Sequence, residues 1–166
     1  PSRLGSFWKT IQSSTVMILQ QEIPYGYAHC FAGKDNCPKA DSCLRAIAAK
    51  LLTESKEPQP ETVNTVNAMY REQLTDQASC PLYRSSEPLR YAKGMTHLFD
   101  ELPMKQAHAV RSRVIGCFSC ERYFYHSRKG DRLISPEEQR RIVNVFRGTN
   151  LNITPKFDSY EYVIVW

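Results

Sequence analysis

From position 86 onward, apolar residues recur at three- and four-residue spacing, and the chain reads there as a succession of helices. Ser86, Glu87 and Pro88 form a start signal, and Leu89, Ala92, Met95 and the pair Leu98–Phe99 follow as one stripe. Pro103 closes that helix and opens the next, where Met104, Ala107, Val110 and Val114 share a face up to Gly116. Ser119 stands as the cap of a short third helix reaching Ser127, with Gly130 behind it. Ser135-Pro136-Glu137-Glu138 is the sharpest start in the chain: a serine cap, a proline at the first position and acids in the first turn. That helix is expected to run to about Phe146 and to stop at Gly148.

The first half is patterned differently. Thr15 to Leu19 is a short β-branched and apolar run that predicts a strand. Pro24, Gly26 and Gly33 interrupt the chain before a helix over Ala40 to Leu52, where Leu44, Ile47, Leu51 and Leu52 recur; Pro38 suits its first position and Asn36 or Cys37 its cap. Glu54 to Glu61 predicts a loop, Val63 to Tyr70 fits strand or helix, and Ser79 to Pro81 fits a turn. Tyr160 to Trp166, aromatic and β-branched, predicts a last strand. The expected fold is α+β and mostly helical, one compact domain with a cysteine-rich part over 1–85 and a basic helical part with a terminal strand over 86–166.

Composition adds bounds. With 166 residues, 42% of them apolar, the chain can bury a core without relying on disulfides. The longest apolar runs are far too short to cross a bilayer, and no secretory leader pattern is visible, so a cytoplasmic chain without membrane attachment is expected. Charge is uneven: from Met104 to Arg147 ten Lys or Arg face four acids, a net +6, while the remainder is −1. A local excess of that kind suits a polyanion or a solvated basic face.

The order of helices in this basic part is weakly similar to helix-turn-helix domains of the phage-repressor kind, whose second helix enters the major groove. On that similarity Tyr123 and Phe124 pack inward, Arg122, Tyr125 and His126 face the bases, and Arg111, Arg113, Arg128, Lys129 and Arg132 meet phosphates. The turn is one residue off and the Tyr-Phe-Tyr string is bulky for that place.

Cys30, Cys37 and Cys43 fall within fourteen residues, among the glycine, asparagine and proline that tight turns need, and Cys80 sits at a turn of its own. Four thiolates of this kind make a closed structural zinc site or hold an iron–sulfur cluster; free or disulfide-bonded cysteines remain the third option. Fingers with three cysteines and a histidine would need a histidine at Ile47, and His29 reads as a capping or core residue rather than a ligand. Cys117-x2-Cys120 spans a junction between helices, where small packing residues are expected.

The strings AHC-x6-CP-x4-CLR and CPLYR, the later ISPEEQ-x2-I-x2-VFR and the terminal Trp resemble a family of short Bacteroidetes proteins classed as a domain of unknown function, over about residues 24–166. The resemblance implies a bacterial, intracellular origin and groups Cys30, Cys37, Cys43 and Cys80 as one set. No nucleophile elbow, phosphate loop or paired-histidine motif occurs, so an enzyme is not expected and no small-molecule substrate is evident. The expected function is a nucleic-acid-binding regulatory protein with a structural thiolate metal site. The alternative is a protein-interaction module with a zinc or iron–sulfur site and no nucleic-acid partner.

Overall fold

Six helices and one pair of strands make up the described residues, 18–74, 79–149 and 151–166, of a computed structural model. In chain order they are α1 (Gly33–Asn36), α2 (Leu44–Glu54), α3 (Ala68–Glu72), β1 (Leu89–Lys93), α4 (Met104–Ile115), α5 (Glu121–Lys129), α6 (Pro136–Arg147) and β2 (Ser159–Val163). The fold is α+β, mostly helical, with a terminal strand. It divides into two units, one ending at Ser86 and taking in Trp166, the other Glu87–Val165. The strand expected over Thr15–Leu19 lies largely outside the described residues.

In the first unit a 3-10 turn, Ala40–Ser42, precedes α2, so the helix begins at Leu44 rather than near Pro38. Leu44, Ala48 and Ala49 are buried on its inner face. The ambiguous Val63–Tyr70 stretch is both things in turn. Thr65 bridges His29 in parallel, and α3 follows with the Asn67 side chain accepting from the Met69 amide.

The second unit corrects one expectation outright. Leu89 to Phe99 is not a helix but β1 followed by turns. β1 pairs antiparallel with β2, Leu89 opposite Val163 and Lys93 opposite Ser159. On its other edge Ala92 exchanges both backbone hydrogen bonds with Ile134, at 3.0 and 2.8 Å. Gly94, at φ +75°, then turns the chain in a conformation that side chains rarely adopt. The apolar spacing survives because Ala92, Met95 and Leu98 are all buried, but strand and turn deliver them to the core instead of a helical stripe.

α4 and α6 form as their sequences predict. Ser135 Oγ accepts from the Glu138 amide and the Glu138 carboxylate accepts from the Ser135 amide, a reciprocal cap at the head of α6. α5 starts at Glu121 behind Cys120 rather than behind Ser119, and ends on Gly130 at φ +85°. The core of this unit joins Val110 and Val114 of α4, Phe124 of α5, Ile142 and Phe146 of α6, and Ile134. Truncating either fully buried phenylalanine would cost about 3–5 kcal/mol.

Candidate functional site

Backbone pairing decides where the four clustered cysteines go. His29 is anchored at both ends, its amide to Asn64 O and its carbonyl to the Val66 amide, each at 2.8 Å, and Cys30 next to it donates to Arg45 O at 2.9 Å. Cys37 ends α1. Cys43 stands immediately before α2 and bridges Ser85; the Leu44 amide donates to Arg84 O at 2.7 Å and the Ser86 amide to Ser42 O at 2.9 Å. That pairing draws in the 80–84 turn, closed by the Tyr83 amide on Cys80 O at 3.1 Å. Cys30, Cys37, Cys43 and Cys80 thereby line one cavity of about 30 Å³, a space fit for a water-sized body.

All four are free thiols; Cys43 is buried and the other three are half-buried. In kind and number they match a four-thiolate centre. Their placement is looser than such a centre: among the described residues no three Cys, His, Asp or Glu side chains stand close enough to share an ion. Coordination would need the sulfurs to turn inward from the cavity wall. His29, with its ring stacked on Phe31 and Nδ1 at 3.3 Å from Asn64 O, is a buried anchor and does not line the cavity.

Three cations share that wall: Lys39, Arg45 and Arg71. None is ion-paired with a carboxylate among the described residues. Arg71 Nη1 donates to Asn36 O at 3.1 Å, and the Lys39 ammonium lies 4.9 Å from the Tyr83 ring centre. Arg45 reaches Ala28 O and the face of Tyr27, yet among the described residues its buried Nε has no partner, and neither has the Tyr27 hydroxyl. Burial pushes the Tyr27 phenol up, partly offset by the Arg45 charge. Nothing in the spacing of the chain marked these cations. Arg71 comes from a five-residue helix too short to show a period, and Arg45 reads as one more polar position of α2.

Cys117 and Cys120 take no part in this cavity. Cys117 is buried, its Sγ 3.6 Å from Arg113 O, and burial pushes its thiol up. Cys120 is exposed ahead of α5.

The residues expected to meet nucleic acid separate into groups. Phe124 is fully buried, whereas Tyr123 is 43% exposed and so does not pack inward with it. At about 100° per residue, Arg122, Tyr125, His126 and Lys129 fall on one arc of α5, opposite buried Phe124 and Ser127. Arg122 Nε donates to His126 Nε2 at 3.3 Å, and the far nitrogen of His126 is 3.7 Å from Asp131. Arg128 is half-buried on the Phe124 side of the helix. Arg111 lies over the Phe124 ring at 5.9 Å, and exposed Arg113 belongs to the last turn of α4. Arg132 is committed internally: Glu138 holds it at 2.8 and 3.0 Å, Ser127 Oγ at 3.1 Å, and its guanidinium covers the Tyr123 ring at 4.9 Å. Its charge is thus already met by Glu138, with the side chain 32% exposed.

No helix among the described residues is long and apolar enough to cross a membrane. The model of DUF6078, a family of unknown function, matches residues 12–166. No curated protein and no solved structure matches the chain.

Proposed function

We propose that this chain, which belongs to the DUF6078 family, is an intracellular nucleic-acid-binding regulatory protein built around a structural thiolate metal site. The observation that carries the metal half is the single cavity shared by Cys30, Cys37, Cys43 and Cys80. Zinc is the first choice of metal. A closed four-thiolate site needs zinc–sulfur distances of about 2.3 Å, and a cavity of about 30 Å³ suits one ion better than an iron–sulfur cluster. An intracellular setting keeps such thiols reduced and available.

The nucleic-acid half rests on charge. The segment from Met104 to Arg147 carries a net +6, and Arg122, Tyr125 and Lys129 share an exposed arc of α5 where cations can meet phosphates and an aromatic ring can meet a base. A protein-interaction module is the second candidate, favoured by exposed Tyr160, Tyr162 and Leu89 on the strand pair.

Two measurements test the proposal. Protein purified without air should carry one equivalent of zinc, and Cys43→Ser should lose it; metal-free protein that stays folded would overturn the metal half. Duplex DNA should be retained at low salt, with a log–log salt slope of about −0.9 per phosphate neutralised, made shallower by Arg122→Ala with Lys129→Ala. Absence of retention at low salt would move the assignment to the interaction module.

A further inference from the structure

Backbone groups of an antiparallel strand face its two neighbours by turns. On β1, Ala92 gives both its amide and its carbonyl to Ile134, and Arg90 O accepts from Gln139 Nε2, so these two residues turn their backbone groups away from β2. The bonds between the strands therefore run through the pairs Leu89–Val163, Tyr91–Glu161 and Lys93–Ser159. Tyr162 and Tyr160, opposite Arg90 and Ala92, direct their own amides and carbonyls to the outer edge of β2. Among the described residues no backbone group takes these up, and Tyr160 and Tyr162 are 44% and 58% exposed. An open edge of this kind is a template for another strand, and proteins usually blunt it with proline, lysine, a bulge or an inward-pointing charge. β2 has none of these. Ser159–Val163 contains neither proline nor lysine, its register against β1 runs without a bulge, and its one charge, Glu161, is held by Lys93 at 2.7 Å.

We propose that the outer edge of β2 pairs with β2 of a second copy of this chain, antiparallel about a twofold axis at Tyr162. The strand is its own complement in that register. Tyr162 exchanges both backbone bonds with Tyr162 of the second copy, and the two rings stand side by side. Glu161 falls opposite Val163 of the second copy, and Tyr160 opposite Ile164, an aromatic and β-branched pair of the kind that stabilises sheets. Two neighbouring registers are worse. An axis at Glu161 sets that carboxylate against its own counterpart. An axis at Tyr160 needs the Asp158 backbone on the outer edge, and the Asp158 amide is already given to Gly94 O at 3.1 Å. A second copy fits better than a foreign strand because the pairing closes on itself. A lone pair of strands is marginal, and the union makes a sheet of four. Its outermost strands are the two copies of β1, whose far edges already hold Ile134 and the Gln139 side chain, so the edge that could extend into a filament is used up. With Glu161 neutralised by Lys93, the edge also asks for no opposite charge from its partner. The pairing needs neither the metal nor the nucleic acid of the function proposed above.

The test uses the full chain. Sedimentation over a concentration series should show the mass rising from the 19.1 kDa of one chain to twice that. Tyr162→Lys sets two ammonium groups face to face at the axis and should keep the chain monomeric, and the exposed position lets the fold accept the change. An equimolar mixture of Tyr162→Lys with Tyr162→Glu should recover the dimer, because residue 162 meets only its own counterpart. Hydrogen exchange locates the interface. The Tyr160 and Tyr162 amides should exchange about tenfold slower once only about a tenth of the chains are monomeric, since exchange proceeds through the free chain. The Glu161 and Val163 amides, held by β1, should not respond to concentration. A chain that stays monomeric at every concentration overturns the proposal: protection of Tyr160 and Tyr162 in that monomer would show another segment of the same chain on the edge, and their free exchange would leave the edge to a strand of another protein. A dimer that survives Tyr162→Lys, or that leaves these two amides unprotected, overturns it by placing the interface elsewhere. A mixture that fails to recover the dimer overturns the axis at Tyr162.

Discussion

Replacing Glu138 by alanine should destabilise the second unit by about 3 kcal/mol, the lower end of what breaking a buried ion pair costs. The carboxylate is the hub of three hydrogen bonds: two to the Arg132 guanidinium at 2.8 and 3.0 Å, and one from the Ser135 amide at 2.9 Å. The glutamate side chain is 11% exposed and the arginine 32%, so the mutant strands a charge that water reaches only in part. That partial access keeps the expected loss at the low end, with the severed cap adding a few tenths to the total. Glu137, one residue away, supplies the control. It pairs with Arg141, but both side chains are more than half exposed, and such a pair is worth under about 1 kcal/mol. Native-state hydrogen exchange of α6 amides reads the difference within this unit alone. Exchange near Phe146 should quicken roughly 100-fold in Glu138→Ala, since about 1.4 kcal/mol is a factor of ten, and only a few-fold in Glu137→Ala. Equal effects from the two substitutions would refute the claim that Arg132 is bound internally, and would return it to the set of residues free to meet phosphates.

Thiol labelling separates the two remaining cysteines: iodoacetamide at neutral pH should modify exposed Cys120 quickly and Cys117 slowly, since burial holds the latter as the unreactive thiol. Equal rates would show that the corner between α4 and α5 is open. Gly130→Ala should cost about 1 kcal/mol in the same exchange experiment, a purely backbone cost at φ +85°, because the nearest side-chain atom to an added Cβ is at an ordinary 3.6 Å. A larger loss would mean that packing against Lys93 and Gly94 is tighter than the structure has it.

Helices announced by local chemistry were legible from the sequence. Ser135, Pro136 and Glu138 act on backbone groups within one turn, so α6 follows from its own 12 residues and the cap before them, and α4 likewise lies between Pro103 and Gly116. β1 was not legible because its pairing partner lies some seventy residues onward: Ser159–Val163 is a partner strand that no window around Leu89 contains. Spacings of three residues between Ala92, Met95 and Leu98 fit a helical stripe as well as a strand leading into a turn, and only the long-range pairing decides. On the basic segment one pairing was hidden for a similar reason. Residue type alone makes Arg132 a phosphate ligand and Glu138 a helix-start acid, whereas the two consume each other's charge. At the cysteine cavity the thiols were prominent as a group, but Lys39, Arg45 and Arg71 reach it from three separate segments, and no spacing rule joins them.

The antiparallel register of Leu89 with Val163 places the entry and exit of the second unit side by side. Everything between them, three helices and their core, is a loop pinned at its base. A module with adjacent ends can be cut inside an exposed turn and rejoined at its base, so circular permutation should leave its core assembled. The same register sets its mechanical behaviour. Tension applied through the two ends loads the strand hydrogen bonds one after another, beginning at Leu89–Val163, and the unit should yield by unzipping at low force instead of shearing as a block.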